Sequence, residues 1–292
     1  MKIDCHAHFD PEMLSLDALI KKMDKNGIDK TILMSKMTSS PTYIKSDFLM
    51  GIQRFLLFNK YLRPIAKALD KSFHKNKGEW NPWYRKLMSK GESYQILTNP
   101  DNQSVFEAVS KYPERLMGWI FLNPKNDNWE EELNKWKDNA SAFGIKIHPF
   151  WHRFSMKEIN KLGELAEKYN YPLMIHLGFD TVQNVSSFCN RFSRLKIIFS
   201  HAGFPLYEDI WPIIKKSPNI YVDLSSHHVD RKIVNKVVNY IGADHCLFGT
   251  DDPYGNSEAG LWIENWIGNM NLNDNQKERI FSSNFKRILK QR

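Results

Sequence analysis

Short apolar, β-branched runs alternate along this chain with polar or glycine-bearing turns, and then with stretches whose apolar residues recur at helical spacing. The runs predict eight strands, at 2–5, 31–35, 116–122, 144–148, 172–177, 196–200, 220–225 and 246–250. Between them lie helical patterns such as 156–169, where Ile159, Leu162, Leu165 and Ala166 share one face. From the third strand onward the strand ends recur every 24–28 residues, the length of one strand–helix unit. Strands joined through helices must pair in parallel, because each crossover has to span the sheet, and eight such units close into a (β/α)8 TIM barrel. An open doubly wound sheet is the competing arrangement. Polar residues at nearly every strand end favour the barrel, which gathers them around one mouth.

One interval breaks the rhythm. After the second strand, residues 36–95 precede the next helical pattern at 103–112, and this insertion predicts two helical portions, 43–70 and 82–90, around a turn rich in Lys, Asn and Gly. It carries twelve basic and four acidic side chains, which accounts for the whole net charge of +8. A loop leaving a strand emerges on the C-terminal face, so this basic helical insertion is placed as a lid over the mouth of a single barrel domain spanning 1–292. Cations there would focus an anionic, carboxylated substrate into the cleft beneath Trp80, Trp83 and Tyr84, with Arg54, Arg63 and Arg85 as candidate substrate ligands. A plainer account has the lysines decorating the solvent side of a helical hairpin. Its apolar side, including Phe48, Leu49, Phe55, Leu56 and Phe58, would then pack on the barrel or on a second copy in a homodimer.

A composition of 42% hydrophobic and 25% charged residues excludes a disordered or fibrous chain. No apolar run approaches the ~20 residues that cross a bilayer, and the N-terminus lacks the basic head and apolar run of a signal peptide, so no membrane partner and a cytoplasmic location are expected. Cys5, Cys189 and Cys246 are far apart, without the close pairs of a zinc ribbon or disulfide scaffold, and read as reduced packing residues.

The candidate chemistry sits at the strand ends. His6 and His8 have the i, i+2 spacing that puts two side chains on one face of a strand, where they can grip one ion. His176 ends the fifth strand, His201 the sixth and Asp251 the eighth, and in a closed barrel all five groups converge. Lys146 and His148 share a face of the fourth strand and could also point inward.

The phrases Ile3-Asp4-Cys5-His6-Ala7-His8, Gly144-Ile145-Lys146-Ile147-His148-Pro149, Ile175-His176, Ser200-His201-Ala202-Gly203 and Phe248-Gly249-Thr250-Asp251-Asp252-Pro253 together resemble the amidohydrolase superfamily, in the amidohydrolase-related branch that includes aminocarboxymuconate semialdehyde decarboxylase. The resemblance implies one divalent metal per chain, usually zinc, held by His6, His8, His176 and Asp251, with His201 beside it as catalytic acid or base and Asp251 sharing the proton handling. Manganese, or a second metal bound through Lys146 or His148, is the variant that binuclear members of the superfamily bring to mind; with one metal, Lys146 or His148 would orient the substrate or stay structural. The activity implied first is hydrolysis of an ester, lactone or amide by metal-activated water. Non-oxidative decarboxylation of an unsaturated or aromatic acid is implied second.

Two other classes compete. A TatD-like metal-dependent nuclease would suit the basic charge, but that family resemblance calls for a glutamate on the fourth strand, where this chain has Gly144-Ile145-Lys146-Ile147-His148-Pro149, so no nucleic-acid partner is expected. A non-enzymatic binding protein would have no need of all five strand-end groups.

Overall fold

The computed structural model describes residues 1–39, 47–75, 79–80, 95–254 and 259–290. Eight parallel strands, β1 Ile3–Phe9, β2 Lys30–Ser35, β3 Leu116–Leu122, β4 Ala142–Ile147, β5 Leu173–Ile175, β6 Ile197–Phe199, β7 Ile220–Asp223 and β8 Cys246–Leu247, pair in sequence order. The ring closes between β8 and β1. Cys5 N donates to Phe248 O at 3.0 Å, Asp251 N donates to His6 O at 2.7 Å, and Ala7 and Asp252 form a parallel bridge. The fold is the TIM barrel that the alternating pattern predicts.

Side-chain caps start the crossover helices where the sequence has a short polar residue. Ser15, Asp101, Thr181 and Asp230 each accept from the backbone N–H three residues ahead, opening Leu16–Lys25, Asn102–Lys111, Val182–Arg191 and Arg231–Ile241. Inside the ring, Ile32, Met34, Trp119, Phe121, Met174, Ile198 and Tyr221 form one buried cluster. Phe285, from the C-terminal helix Asn284–Lys290, joins it and stacks on Phe143 at 4.5 Å.

An irregularity in β1 decides what reaches the mouth. Asp4 pairs with Thr31 and Ala7 with Leu33, so three steps along β1 face two along β2, which places a bulge at Cys5 and His6. Ile3 and Cys5 belong to the cluster inside the ring, Ala7 packs outward with Leu33, and His8 pairs with the inward-facing Met34. The extra residue switches the inward face from odd to even positions. His6 and His8 therefore point into the mouth directly above the packed floor.

The insertion departs from expectation at its centre. Where one helix is predicted over 43–70, the chain forms α2 Asp47–Phe58 and α3 Arg63–Phe73, counting Leu16–Lys25 as α1, followed by a short antiparallel ladder of His74–Lys75 with Glu79–Trp80. Pro64 explains the break: it fits the first turn of a helix but not its interior. Asn59 organises the reversal, its carbonyl accepting from Leu62 N and Arg63 N and its side chain from Tyr61 N. The predicted helix over 82–90, with Trp83, Tyr84 and Arg85, lies outside the described residues.

Helix α2 docks on loops that follow β6 and β7. Phe58 lies 5.3 Å from Tyr207, and Arg54 Nη1 donates to His227 O at 2.6 Å. Arg63 Nε donates to Leu57 O at 2.7 Å and its Nη1 pairs with Asp209. Both arginines thus fasten the insertion. Met50 and Leu57 are buried, whereas Phe48 and Phe55, expected among the packed residues, are exposed. Arg63→Met should lower unfolding stability by roughly 2 kcal/mol, the scale for hydrogen bonds to a charged group, and leave metal content unchanged. A shifted urea midpoint at constant m-value would register it.

No helix among the described residues is long and apolar enough to cross a membrane. The three cysteines are buried and unpaired.

Candidate active site

His6 Nε2 and His8 Nε2 lie 3.3 and 3.4 Å from the same atom, Asp251 Oδ1. The other ring nitrogen of each histidine is already engaged. His6 Nδ1 meets Asp223 Oδ2 at 2.9 Å, His8 Nδ1 meets Ser35 O at 2.8 Å, and His176 Nδ1 meets Leu177 O at 3.1 Å. Carbonyl oxygens only accept, so the partner atoms assign the proton to Nδ1 and leave the Nε2 lone pair for a cation. Neutral imidazoles with one carboxylate are a donor set that a divalent ion accepts, and these residues fit one. His6, His8 and Asp251 bring their donor atoms within 4.8 Å of one another. His176 is outside that close group; its ring contacts that of His201 at 4.9 Å, which in turn stacks on His6 at 4.7 Å.

Two of these residues need an uncommon backbone. His201 and Asp251 have φ of +56° and +64°, a left-handed conformation that costs a non-glycine residue of order 1–3 kcal/mol unless its surroundings impose it. The surroundings do so through hydrogen bonds: His201 N donates to Asp223 Oδ1 at 3.1 Å, and Asp251 N to His6 O at 2.7 Å. Ser200 points inward to receive Lys146, and the left-handed turn then brings the next residue, His201, to the mouth as well.

The electrostatics suit cation binding. Burial, reinforced by the Lys146 charge, pushes His176 down to about 3 and also lowers His6. Burial and the neighbouring imidazoles His6 and His176 hold His201 well below the usual histidine range. Burial alone would raise Asp251, but the His8 and His6 side chains beside it outweigh that and hold it well below the usual carboxylate range. Neutral imidazoles and an ionised carboxylate are the protonation states that metal ligands require.

Lys146 is fully buried, donates from Nζ to Ser200 Oγ at 2.9 Å, and is pushed down to about 8 by burial. His148 stacks on His176 at 3.9 Å and accepts from Trp151 N through Nδ1. Arg54 and Arg63 bind protein groups, and Arg85 lies outside the described residues. Position along the chain does not single out His228, whose ring is 5.4 Å from His201, 5.9 Å from His176 and stacked on Phe204 at 3.8 Å. Nor does it single out Asp223 and Ser225, whose signal is the polar Asp223-Leu224-Ser225 ending of β7.

Gly249 is what lets β8 approach. A Cβ there would lie 3.0 Å from Ser225 Cβ and 3.1 Å from His6 Cβ, tighter than ordinary contact. Gly249→Ala should displace His6 by a few tenths of an ångström and weaken divalent-metal affinity about 10–100-fold, as loss of a ligand's supporting partner does. Competition against a chromogenic chelator measures it.

The sequence model of the family described as Amidohydrolase matches residues 3–291. No curated protein matches the chain. Solved structures similar to it include an uncharacterised TIM-barrel protein from Bordetella bronchiseptica, 13% identical with a TM-score of 0.66 over 99% of this chain and 98% of that one. A 2,6-dihydroxybenzoate decarboxylase from Rhizobium is 16% identical with a TM-score of 0.58, over 99% and 98%. A 5-carboxyvanillate decarboxylase from Novosphingobium aromaticivorans, complexed with manganese and 4-hydroxy-3-methoxy-5-nitrobenzoic acid, is 15% identical with a TM-score of 0.61, over 99% and 96%. At these identities the likeness establishes the barrel.

Proposed function

The chain belongs to the amidohydrolase family and is an enzyme, and on that premise we propose that it is a metal-dependent carboxy-lyase releasing carbon dioxide from a small aromatic acid. The observation that carries the metal dependence is the convergence of His6 Nε2 and His8 Nε2 on Asp251 Oδ1 with each Nδ1 already occupied. His176 completes the proposed ligand set, and the ion is zinc or, as in the carboxyvanillate enzyme, manganese. Bound there, the ion would supply Lewis acidity towards the oxygens of the acid.

The protein's own groups supply the rest. His201, beside His6 and His176 and 2% exposed, takes up a proton from water and passes it to the ring carbon that bears the carboxylate. The carbon–carbon bond then breaks, its electron pair returns to the ring, and carbon dioxide leaves, with His201 neutral again. Phe204, Phe150 and His228, with ring centroids 5.4, 5.8 and 5.9 Å from that of His176, form an aromatic wall suited to a flat ring. Residues 36–95 would belong to this same catalytic unit as the cover of its mouth.

Sequence reading ranked hydrolysis ahead of decarboxylation. The names of the similar structures and the aromatic wall support the opposite order. The test loads the protein with zinc or manganese and offers 2,6-dihydroxybenzoate, 5-carboxyvanillate and a set of aryl lactones. Carbon dioxide release from an aromatic acid is expected. Ring opening of lactones, with no carbon dioxide from any acid, would return the assignment to hydrolysis.

A further inference from the structure

Asp223 is completely buried at the end of β7, and the chemistry above gives it no step of its own. Its oxygens are divided between two rings. Oδ2 faces His6 Nδ1 at 2.9 Å, whereas Oδ1 accepts from His201 N at 3.1 Å, from Ser225 N at 3.0 Å and from Ser225 Oγ at 2.5 Å. Ser225 Oγ also stands 2.9 Å from His201 Nδ1.

A serine hydroxyl has a single proton, so Ser225 can donate to Asp223 or to His201 but not to both. Asp223 Oδ1 already receives two backbone N–H groups, which can only donate, and it has no proton to return. If Ser225 donated to His201 instead, its lone pairs would face that oxygen at 2.5 Å, two acceptors with nothing between them. The hydroxyl proton must therefore lie on the Asp223 side. His201 Nδ1 then has to bring the other proton.

We propose that Ser225, braced by Asp223, is a positioning residue that holds His201 in the Nδ1–H tautomer and so reserves Nε2 as the atom that exchanges a proton with substrate. The inference rests on the reading of His201 as the proton carrier. Asp223 sets two rings at once by the same means: His6 has its proton on Nδ1 and offers Nε2 to the ion, and His201, one hydroxyl further on, has its proton on Nδ1 and offers Nε2 to the acid. When His201 carries both protons, the same hydroxyl links its positive charge to the buried carboxylate.

The test uses the full-length zinc-loaded protein labelled with ¹⁵N in histidine, with the His201 signals assigned by their loss in His201→Asn. Wild type should show a protonated Nδ1 and a bare Nε2 at His201. Ser225→Ala should shift His201 toward the other tautomer and lower kcat for carbon dioxide release at least 10-fold, with KM and zinc content unchanged, and Ser225→Thr should restore both. An unprotonated Nδ1 in wild type would overturn the proposal, and that reading stands even if the alanine variant does not fold. An unchanged His201 pattern in Ser225→Ala would overturn it too. A tautomer shift with undiminished kcat would instead uphold the positioning and remove His201 from the chemistry.

Discussion

His201→Asn is expected to lower kcat by 10²–10⁴-fold while the protein keeps its full metal content. That range is the usual contribution of a positioned acid or base, about 2.7–5.4 kcal/mol of activation free energy. The separation of the two effects follows from geometry. The His201 ring lies beside His6 and His176 at 4.7 and 4.9 Å, yet its Nδ1 is engaged by Ser225, and the close donor group around Asp251 is complete without it. Asparagine keeps a polar group toward Ser225, so the buried hydroxyl is not orphaned and the fold should survive. Steady-state carbon dioxide release together with elemental analysis checks both halves. Wild-type turnover in this variant would end the assignment of His201 as proton carrier.

Asp251→Ala is expected to abolish activity by abolishing the metal site. Asp251 Oδ1 is the point on which His6 Nε2 and His8 Nε2 converge, and its ionised carboxylate is the negative charge that balances a dication among neutral imidazoles. The loss should exceed the 10–100-fold that disturbing a ligand's supporting partner brings. Thermal unfolding gives a readout independent of turnover: a ligand at one hundred times its Kd stabilises the folded state by about 2.7 kcal/mol, so zinc should raise the Tm of the wild type. The Asp251 variant should show no such rise. A variant that still gained stability from zinc would mean that the ion is held elsewhere.

Much of this was legible in the sequence because the strand–helix alternation is strict and the donors sit at strand ends. His6, His8, His176, His201 and Asp251 could be picked out by position alone, and three of them are brought into one close group. The bulge at Cys5 and His6 was not legible, because alternation read from Ile3 and Cys5 would send His6 and His8 outward. Nor were the left-handed conformations of His201 and Asp251, since neither is a glycine. Asp223 and Ser225 escaped for a different reason: their role is to hold other residues, and one-dimensional patterns do not show which rings a carboxylate will face. Arg54 and Arg63 read differently in the sequence and in the structure. Their charge suggested a substrate anion, whereas Arg54 and Arg63 bind a carbonyl and an aspartate of the protein itself.

Gly249 draws a boundary between what can vary in this molecule and what cannot. Any side chain at that position intrudes on the Cβ atoms of His6 and Ser225 together, so one mutation would disturb ion capture and proton delivery at once. Variant libraries aimed at new acids should leave the base of the bowl untouched. Diversity belongs at positions whose side chains touch neither of those two Cβ atoms.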